Sequence, residues 1–325
     1  MTRAGVMGVR LTAALAWIAR HGRYALVAGL LAGALLPGLA QAMRGAIAPL
    51  IVALLFLAVL RLGSEGLRAG AAGLHRAVGL TLGMQFVLPL LAAGTFAAAG
   101  VAQHPLAMGA VLILAAAPVT GSPNLALLVG ADPAPALRQL VLGTALLPLT
   151  VVPVFALMPA FGETAAVLGL ALRLLAVIVL AGGAALLLRS RLPAGPDATR
   201  DRTAVIDGVS ALLLGLVVIG LMSAIGPALR AAPGLLAVTL AACFALNLPL
   251  QVLACRLAAR RNPRAAPAIG ITAGNRNAAL FLSVLPAATV DDLLLFIGCF
   301  QIPMYLTPLL LNGWYRRIAA DATSR

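Results

Sequence analysis

Long apolar stretches, separated by short segments that contain arginine, run along almost the whole of this 325-residue chain. Hydrophobic residues make up 62% of the sequence, charged residues make up only 10%, and the mean hydropathy is +1.06. A soluble domain contains about 45–50% apolar and about 25% charged residues, so this chain requires an apolar solvent. Because one span takes about 20 apolar residues, we predict an all-α integral membrane protein with ten transmembrane helices.

The apolar stretches place the predicted spans at 24–41, 45–61, 77–98, 106–131, 138–158, 164–188, 204–225, 234–255, 266–288 and 292–312. Residues 1–23 form a predicted cytoplasmic N-terminus, in which the amphipathic stretch 9–20 is expected on the membrane surface. The run from Tyr24 to Leu36 also imitates a cleaved signal peptide. Its basic leader is long, however, and we favour its retention as the first span.

The arginines fix the predicted orientation. All 23 basic residues of the Lys and Arg types are arginine, and the formal net charge is +14. Alternating the loops leaves Arg44 and Arg230 on one side, Arg173 and Arg276 within spans, and all other arginines on the opposite side. Since positive loops stay in the cytoplasm, both termini, including the tail 313–325, are predicted to be cytoplasmic, in a bacterial inner membrane. The basic clusters lack interleaved aromatics, which favours the lipid bilayer over nucleic acid as partner.

The two halves of the chain resemble each other. Gly121-Ser122-Pro123-Asn124-Leu125-Ala126-Leu127 matches Gly274-Asn275-Arg276-Asn277-Ala278-Ala279-Leu280. Leu88-Pro89-Leu90 matches Leu248-Pro249-Leu250, and Gly143, Pro148 and Pro153 are spaced as Gly298, Pro303 and Pro308 are. We therefore predict a first five-helix repeat over 24–158 and a second over 164–312. Because each repeat has an odd number of spans, the second must run opposite to the first, as in many secondary transporters.

Helix-breaking and polar residues enter the fourth and ninth spans at corresponding places. Proline removes a backbone donor and glycine permits an unwound backbone, and a broken span is tolerated only within protein or beside a wet cavity. Packing is the competing explanation, since glycine, proline and asparagine also serve helix contacts in membranes. The paired breaks favour a crossing that binds substrate, with the candidate residues Pro118, Thr120, Gly121, Ser122, Asn124, Gly274, Asn275 and Asn277.

At these residues the sequence resembles the bile acid:sodium symporter family, over essentially the whole chain. Pro118 to Asn124 is similar to the fourth-span pattern of that family, Gln85 to a third-span glutamine, and Arg276-Asn277 to a ninth-span Gln-Asn pair. The resemblance implies a panel domain of spans 1, 2, 6 and 7 and a core domain of spans 3–5 and 8–10. It also implies alternating-access transport of a small organic anion, with substrate beside the crossing of spans 4 and 9 and Na⁺ behind it.

Several departures from the family pattern concern the coupling ion, for which Na⁺ and H⁺ both stay open. Thr272 stands where the family has an acidic Na⁺ ligand, Leu137 and Val141 replace oxygen-bearing residues, and Arg276 adds a cation that repels Na⁺. The predicted ion-site region is Gln85, Thr272, Arg276 and Gln301. Either the Arg276 guanidinium occupies a Na⁺ position, held by Gln85, Asn124 and nearby carbonyls, or it faces the cavity and pairs with an anionic substrate.

Other function classes are weighed against the transporter. An auxin-efflux-like or other carrier of the same superfamily is one alternative, and a membrane sensor or structural protein with a degenerate transporter fold is another. No nucleophile triad, HExxH motif or nucleotide loop is present, which argues against an enzyme, and no cofactor is predicted. The three cysteines lie in or beside apolar runs without metal-ligand spacing, so we expect them to be buried apolar side chains.

Overall fold

The computed structural model describes residues 3–71, 74–193 and 196–320, so residues 1–2 and 321–325 of the predicted cytoplasmic ends lie outside the described part. Within those ranges the chain is built from helices joined by short connections. The α-helices are α1 (Arg3–Arg20), α2 (Gly22–Leu35), α3 (Pro37–Arg44), α4 (Ile47–Ala71), α5 (Leu74–Leu82), α6 (Leu88–Ala98), α7 (Pro105–Ala115), α8 (Ser122–Leu128), α9 (Ala134–Ala156), α10 (Thr164–Arg191), α11 (Pro196–Leu221), α12 (Ile225–Ala231), α13 (Pro233–Ala259), α14 (Ala266–Gly274), α15 (Ala287–Leu310) and α16 (Asn312–Ala320).

Six helical segments of the described chain are long and apolar enough to cross a membrane, or seven if the bent pair α2–α3 is one span. The six are His75–Ala98, Ala134–Ala156, Thr164–Arg191, Asp201–Ala231, Pro233–Ala259 and Ala287–Leu310. The prediction of an all-helical chain is thereby confirmed for the described residues, with six to seven candidate membrane spans. The ten-span inverted repeat stays a prediction, because several of its spans consist of helices that are each too short to cross a membrane alone.

The predicted first span, 24–41, is formed by two helices with a sharp bend between them. α2 ends at Leu35 and α3 begins at Pro37, with a bend of 107° between them. Leu36 leaves the helical region, with φ −116° and ψ 76°. Proline disfavours helical backbone at the residue before it, so Pro37 both ends α2 and starts α3.

One compact unit comprises Met1–Ser64 and Val177–Ala231. α2 packs against α11 in this unit, and glycines make the contact close. A Cβ atom on Gly29 would lie 2.9 Å from the carbonyl oxygen of Gly215, and Gly33, one turn further on, meets α11 as tightly. Such a G-x-x-x-G pair lets helix backbones approach where no hydrophobic effect drives helices together in lipid.

The second compact unit comprises Glu65–Ala176 and Ala232–Arg325, so the division falls inside α4 and α10. Here α14 packs on α13 through Gly270 and Gly274, again spaced four apart. Cβ atoms at these two positions would lie 2.7 and 2.8 Å from backbone carbonyl oxygens of α13. All the residues predicted to form the crossing and the ion site belong to this second unit.

Candidate functional site: the crossing of two interrupted helices

Two interrupted helices meet inside the second unit. The backbone is non-helical over 116–121, between α7 and α8, and over 275–277, between α14 and a 3₁₀-helix at Ala278–Ser283. Pro118 and Arg276 form an antiparallel bridge between the two segments. The paired interruptions predicted from the sequence are therefore in contact.

The bridge satisfies backbone groups that the interruptions release from the helices. Val119 N–H donates to the carbonyl oxygen of Asn275 at 2.9 Å, and Asn277 N–H donates to that of Ala117 at 2.7 Å. An unpaired peptide group away from water costs several kcal/mol in a membrane. Each segment thus stabilises the other, because each accepts a hydrogen bond from a backbone N–H group of the other.

The two interruptions have different local causes. Pro118 lacks an N–H and biases Ala117 towards extended backbone, so α7 must end there. Pro123 then lies in the first turn of α8, where a missing N–H costs nothing. No proline stands between Pro267 and Pro286, so the end of α14 at Gly274 depends on tertiary contacts.

The Arg276 guanidinium lies between the ends of the two half-helices. Its Nε donates to the carbonyl oxygen of Ala273 at 2.9 Å, Nη1 to that of Ala116 at 3.1 Å, and Nη2 to that of Met84 at 3.4 Å. The residue is only 2% exposed. Helix C-termini carry partial negative charge, and α7 and α14 both end at this side chain, which accounts for a stable position of the cation.

The placement of Arg276 bears on the two interpretations that the sequence left open, a guanidinium in a cation position and a guanidinium that pairs with substrate. The side chain is buried and donates to carbonyls, as the first interpretation requires. Of the predicted partners, the nearby carbonyls are correct, whereas Gln85 and Asn124 are not, because the described hydrogen bonds of the guanidinium all go to main-chain oxygens. No carboxylate within the described ranges forms an ion pair with Arg276.

Gln85 is buried in a π-helical turn, Gly83–Val87, that precedes α6. Pro89 has no N–H for the carbonyl of Gln85 and would crowd it in a regular helix, so the wider turn relieves the conflict. The Gln85 amide nitrogen donates to the carbonyl oxygen of Gly143 at 2.8 Å and to Thr150 Oγ1 at 3.2 Å. Its Oε1 is buried without a hydrogen-bond partner. Such π-turns occur frequently at functional sites.

A second buried polar cluster lies on the α14 side of the crossing. Asn247 Nδ2 and Gln251 Nε2 donate to Asn275 Oδ1 at 3.0 and 3.2 Å, and Gln251 Nε2 also contacts Thr307 Oγ1. Thr307 Oγ1 donates to Asn247 Oδ1 at 2.7 Å. Tyr315 Oη donates to Gln251 Oε1 at 2.9 Å, and burial raises the pKa of this hydroxyl above its usual range, so it stays a donor.

Sequence reasoning missed this cluster, although a signal was present. Asn247 and Gln251 are four residues apart and therefore share one face of α13, and polar side chains within an apolar span are functional candidates by default. Asn247 and Gln251 lie in the eighth predicted span, which contains neither interruption, so the interruptions did not point to them. Their partner Thr307 lies in α15, 60 residues along the chain from Asn247.

The remaining predicted residues separate into a buried group and an accessible group. Thr272, Gln301 and Ser122 are buried, and their side chains donate to carbonyls of Ile269, Ile297 and Val119. Thr120 and Asn124 are exposed, while Gly121 and Asn277 are half-buried. The crossing therefore has a closed interior around Arg276 and an accessible polar side at the start of α8.

No known protein family matches the sequence, and no curated protein matches it. The resemblance to the bile acid:sodium symporters thus remains a proposal that depends on the residues themselves. In chemical terms the crossing offers backbone dipoles, amides and one enclosed positive charge, which suits the binding of a solute.

Proposed function

We propose that this protein is a secondary active transporter of a small organic anion, of the bile acid:sodium symporter type, working by alternating access. The observation that carries the proposal is the antiparallel bridge between Pro118 and Arg276, where two interrupted helices meet. Broken helices at membrane depth expose backbone groups, and transporters use such places for substrate binding. A protein that only had to fold in lipid would gain nothing from two such interruptions.

The ten-span arrangement belongs to the same proposal. Two inverted repeats of five spans, 24–158 and 164–312, place the two interruptions in the fourth and ninth spans. The distribution of the arginines then puts both termini in the cytoplasm of a bacterial cell, with the protein in the inner membrane.

An organic anion is the proposed substrate because the enclosed charge of Arg276, although it does not contact a solute, gives the crossing a positive potential. Arg276 has no carboxylate partner in the described residues, so its positive charge is balanced only by backbone dipoles. Thr120 and Asn124 offer exposed hydroxyl and amide groups shortly after Pro118, the residue that bridges to Arg276. A carboxylate held by such donors gains charge-assisted hydrogen bonds.

A sensor or structural role is the second candidate, and one observation favours it. The guanidinium and the bridging backbone groups are already satisfied within the protein, so the crossing needs no solute for stability. A sensor would bind a solute without moving it across the membrane, and that difference is measurable.

Cysteine labelling tests whether the accessible side of the crossing is wet. We expect Thr120→Cys to react with a membrane-impermeant thiol reagent, and Leu149→Cys, on an exposed apolar position of α9, to stay unlabelled in lipid. The three native cysteines are fully buried and serve as an unreactive background. Equal inertness of both variants in proteoliposomes would remove the proposed substrate site.

The substrate itself is found by thermal unfolding of the purified protein with a panel of small carboxylates. A stabilising compound should protect Thr120→Cys from labelling and should accumulate in proteoliposomes made with the wild-type protein. Binding and protection without accumulation would support the sensor and contradict the transporter.

A further inference from the structure

The surroundings of the Arg276 guanidinium are unusual for a buried arginine. Its hydrogen bonds go to three main-chain carbonyl oxygens, of Ala273, Ala116 and Met84, and no described carboxylate pairs with it. A buried charge ordinarily requires an opposite charge. Here backbone dipoles take that place.

We propose that the crossing is a site for one monovalent cation, and that the protein fills it permanently with the guanidinium of Arg276. Oxygen ligands that converge from three separate segments are the pattern by which proteins hold hard cations. The carbonyls of Ala273 and Ala116 belong to the C-terminal ends of α14 and α7, where the helix dipoles add negative potential.

The geometry suits an internal ligand that links the segments. Nε donates to the carbonyl oxygen of Ala273, three residues earlier, near the end of α14. Nη1 donates to the carbonyl oxygen of Ala116, 160 residues earlier in the chain. The guanidinium therefore joins α7, α14 and the π-helical turn of Gln85 at a single point. At 2% exposure it is not available to a solute, which distinguishes it from Arg173, an exposed arginine on α10 of the same unit.

If the protein is a transporter, as proposed above, the filled site changes which ion can drive transport. A site that is always filled needs no Na⁺ from solution, so transport should proceed at the same rate when Na⁺ is replaced by K⁺ or choline. The charge that stabilises the crossing then stays with the protein throughout the transport cycle.

Removing the side chain should vacate the site and make it accessible to a cation from solution. The test is the thermal unfolding midpoint of the purified full-length protein in detergent, at constant ionic strength. Choline chloride is replaced in turn by NaCl, KCl or methylguanidinium chloride. The wild-type midpoint should not depend on which cation is present. Arg276→Ala should unfold on the order of 5 °C lower in choline and recover saturably with methylguanidinium or Na⁺, as ligand linkage requires.

Two control variants separate this effect from general salt effects. Arg173→Ala removes an exposed arginine from the same unit and should show no cation-specific recovery. Arg276→Lys keeps the charge but offers fewer, differently placed donors, so its midpoint should fall between those of wild type and Arg276→Ala. If Arg276→Ala cannot be purified, Arg276→Gln takes its place in the same titration.

Two results would overturn the proposal. One is a wild-type protein that Na⁺ stabilises beyond K⁺ and choline. The other is a folded Arg276 variant that no small cation restores. Neither readout involves transport, so a failure to find uptake would count against the proposed function while leaving the cation-site result unaffected.

Discussion

Replacing Gly274 with alanine tests whether close packing of α13 and α14 holds the ninth-span interruption in place. Gly274 is the last residue of α14, and its carbonyl oxygen accepts a hydrogen bond from Asn247 Nδ2. No proline ends the helix here, so we expect this contact to fix where the helix stops. The substitution adds one methyl group at one of the two glycines through which α14 packs closely on α13.

The structure gives the size of the effect. An added Cβ would overlap Gln251 Cγ, so that side chain must shift, and it would lie 2.8 Å from the backbone oxygen of Asn247. Ordinary contacts begin at 3.4 Å, so α14 must also retreat from that oxygen by about 0.6 Å. Asn247 Nδ2 now lies 2.9 Å from the Gly274 oxygen and 3.0 Å from Asn275 Oδ1. The retreat stretches these bonds to about 3.5 and about 3.6 Å, beyond the usual range. Overpacking costs about 1–3 kcal/mol and the two weakened bonds together about 1 kcal/mol, so the free energy of unfolding should fall by about 2–4 kcal/mol.

The assay is a reversible SDS titration of the purified protein in mixed micelles, followed by circular dichroism. Gly94→Ala is the matched control, because it adds the same methyl group within α6 of the same unit, where nothing lies within 4 Å. A helical glycine replaced by alanine at an open position should gain about 0.5–1 kcal/mol. The two variants should therefore move in opposite directions.

The reasoning is refuted if Gly274→Ala is as stable as Gly94→Ala. That result would mean that α14 moves away from α13 without loss, so that the Asn247 contacts do not hold the interruption. A destabilised Gly274→Ala that still binds and transports normally would separate packing from function at this position.

Two further substitutions test other parts of the fold in the same titration. Gln85→Leu should cost about 1–3 kcal/mol, because a buried carbonyl and a buried hydroxyl lose their donor; unchanged stability would contradict this. The ion pair of Arg61 and Asp207, with side chains 37% and 32% exposed and Nε 2.5 Å from Oδ1, should show a coupling energy below about 1 kcal/mol in a double-mutant cycle with glutamine and asparagine. That coupling should shrink as NaCl is added, and a larger or salt-independent value would contradict the prediction.

The sequence was a reliable guide where the cause of a structure is local. Proline at 118 and at 123 ends one half-helix and starts the next wherever the rest of the chain lies, so the interruption of the fourth span was predictable. Pro37 has the same local effect on Leu36, where it makes a 107° bend inside an apolar run. Hydropathy reports which residues avoid water, and it carries little information on bends within an apolar segment.

The chain by itself therefore determined an all-helical fold with long apolar segments, the place of the paired interruptions and the presence of an arginine within one of them. Tertiary structure alone decided that Arg276 binds the carbonyls of Ala116 and Met84, 160 and 192 residues away, and that Asn124 faces outward. The physical reason is that steric and backbone effects act within a few residues of the chain. A buried charge instead forms hydrogen bonds with the oxygen atoms that tertiary packing places beside it, and these can be distant in sequence.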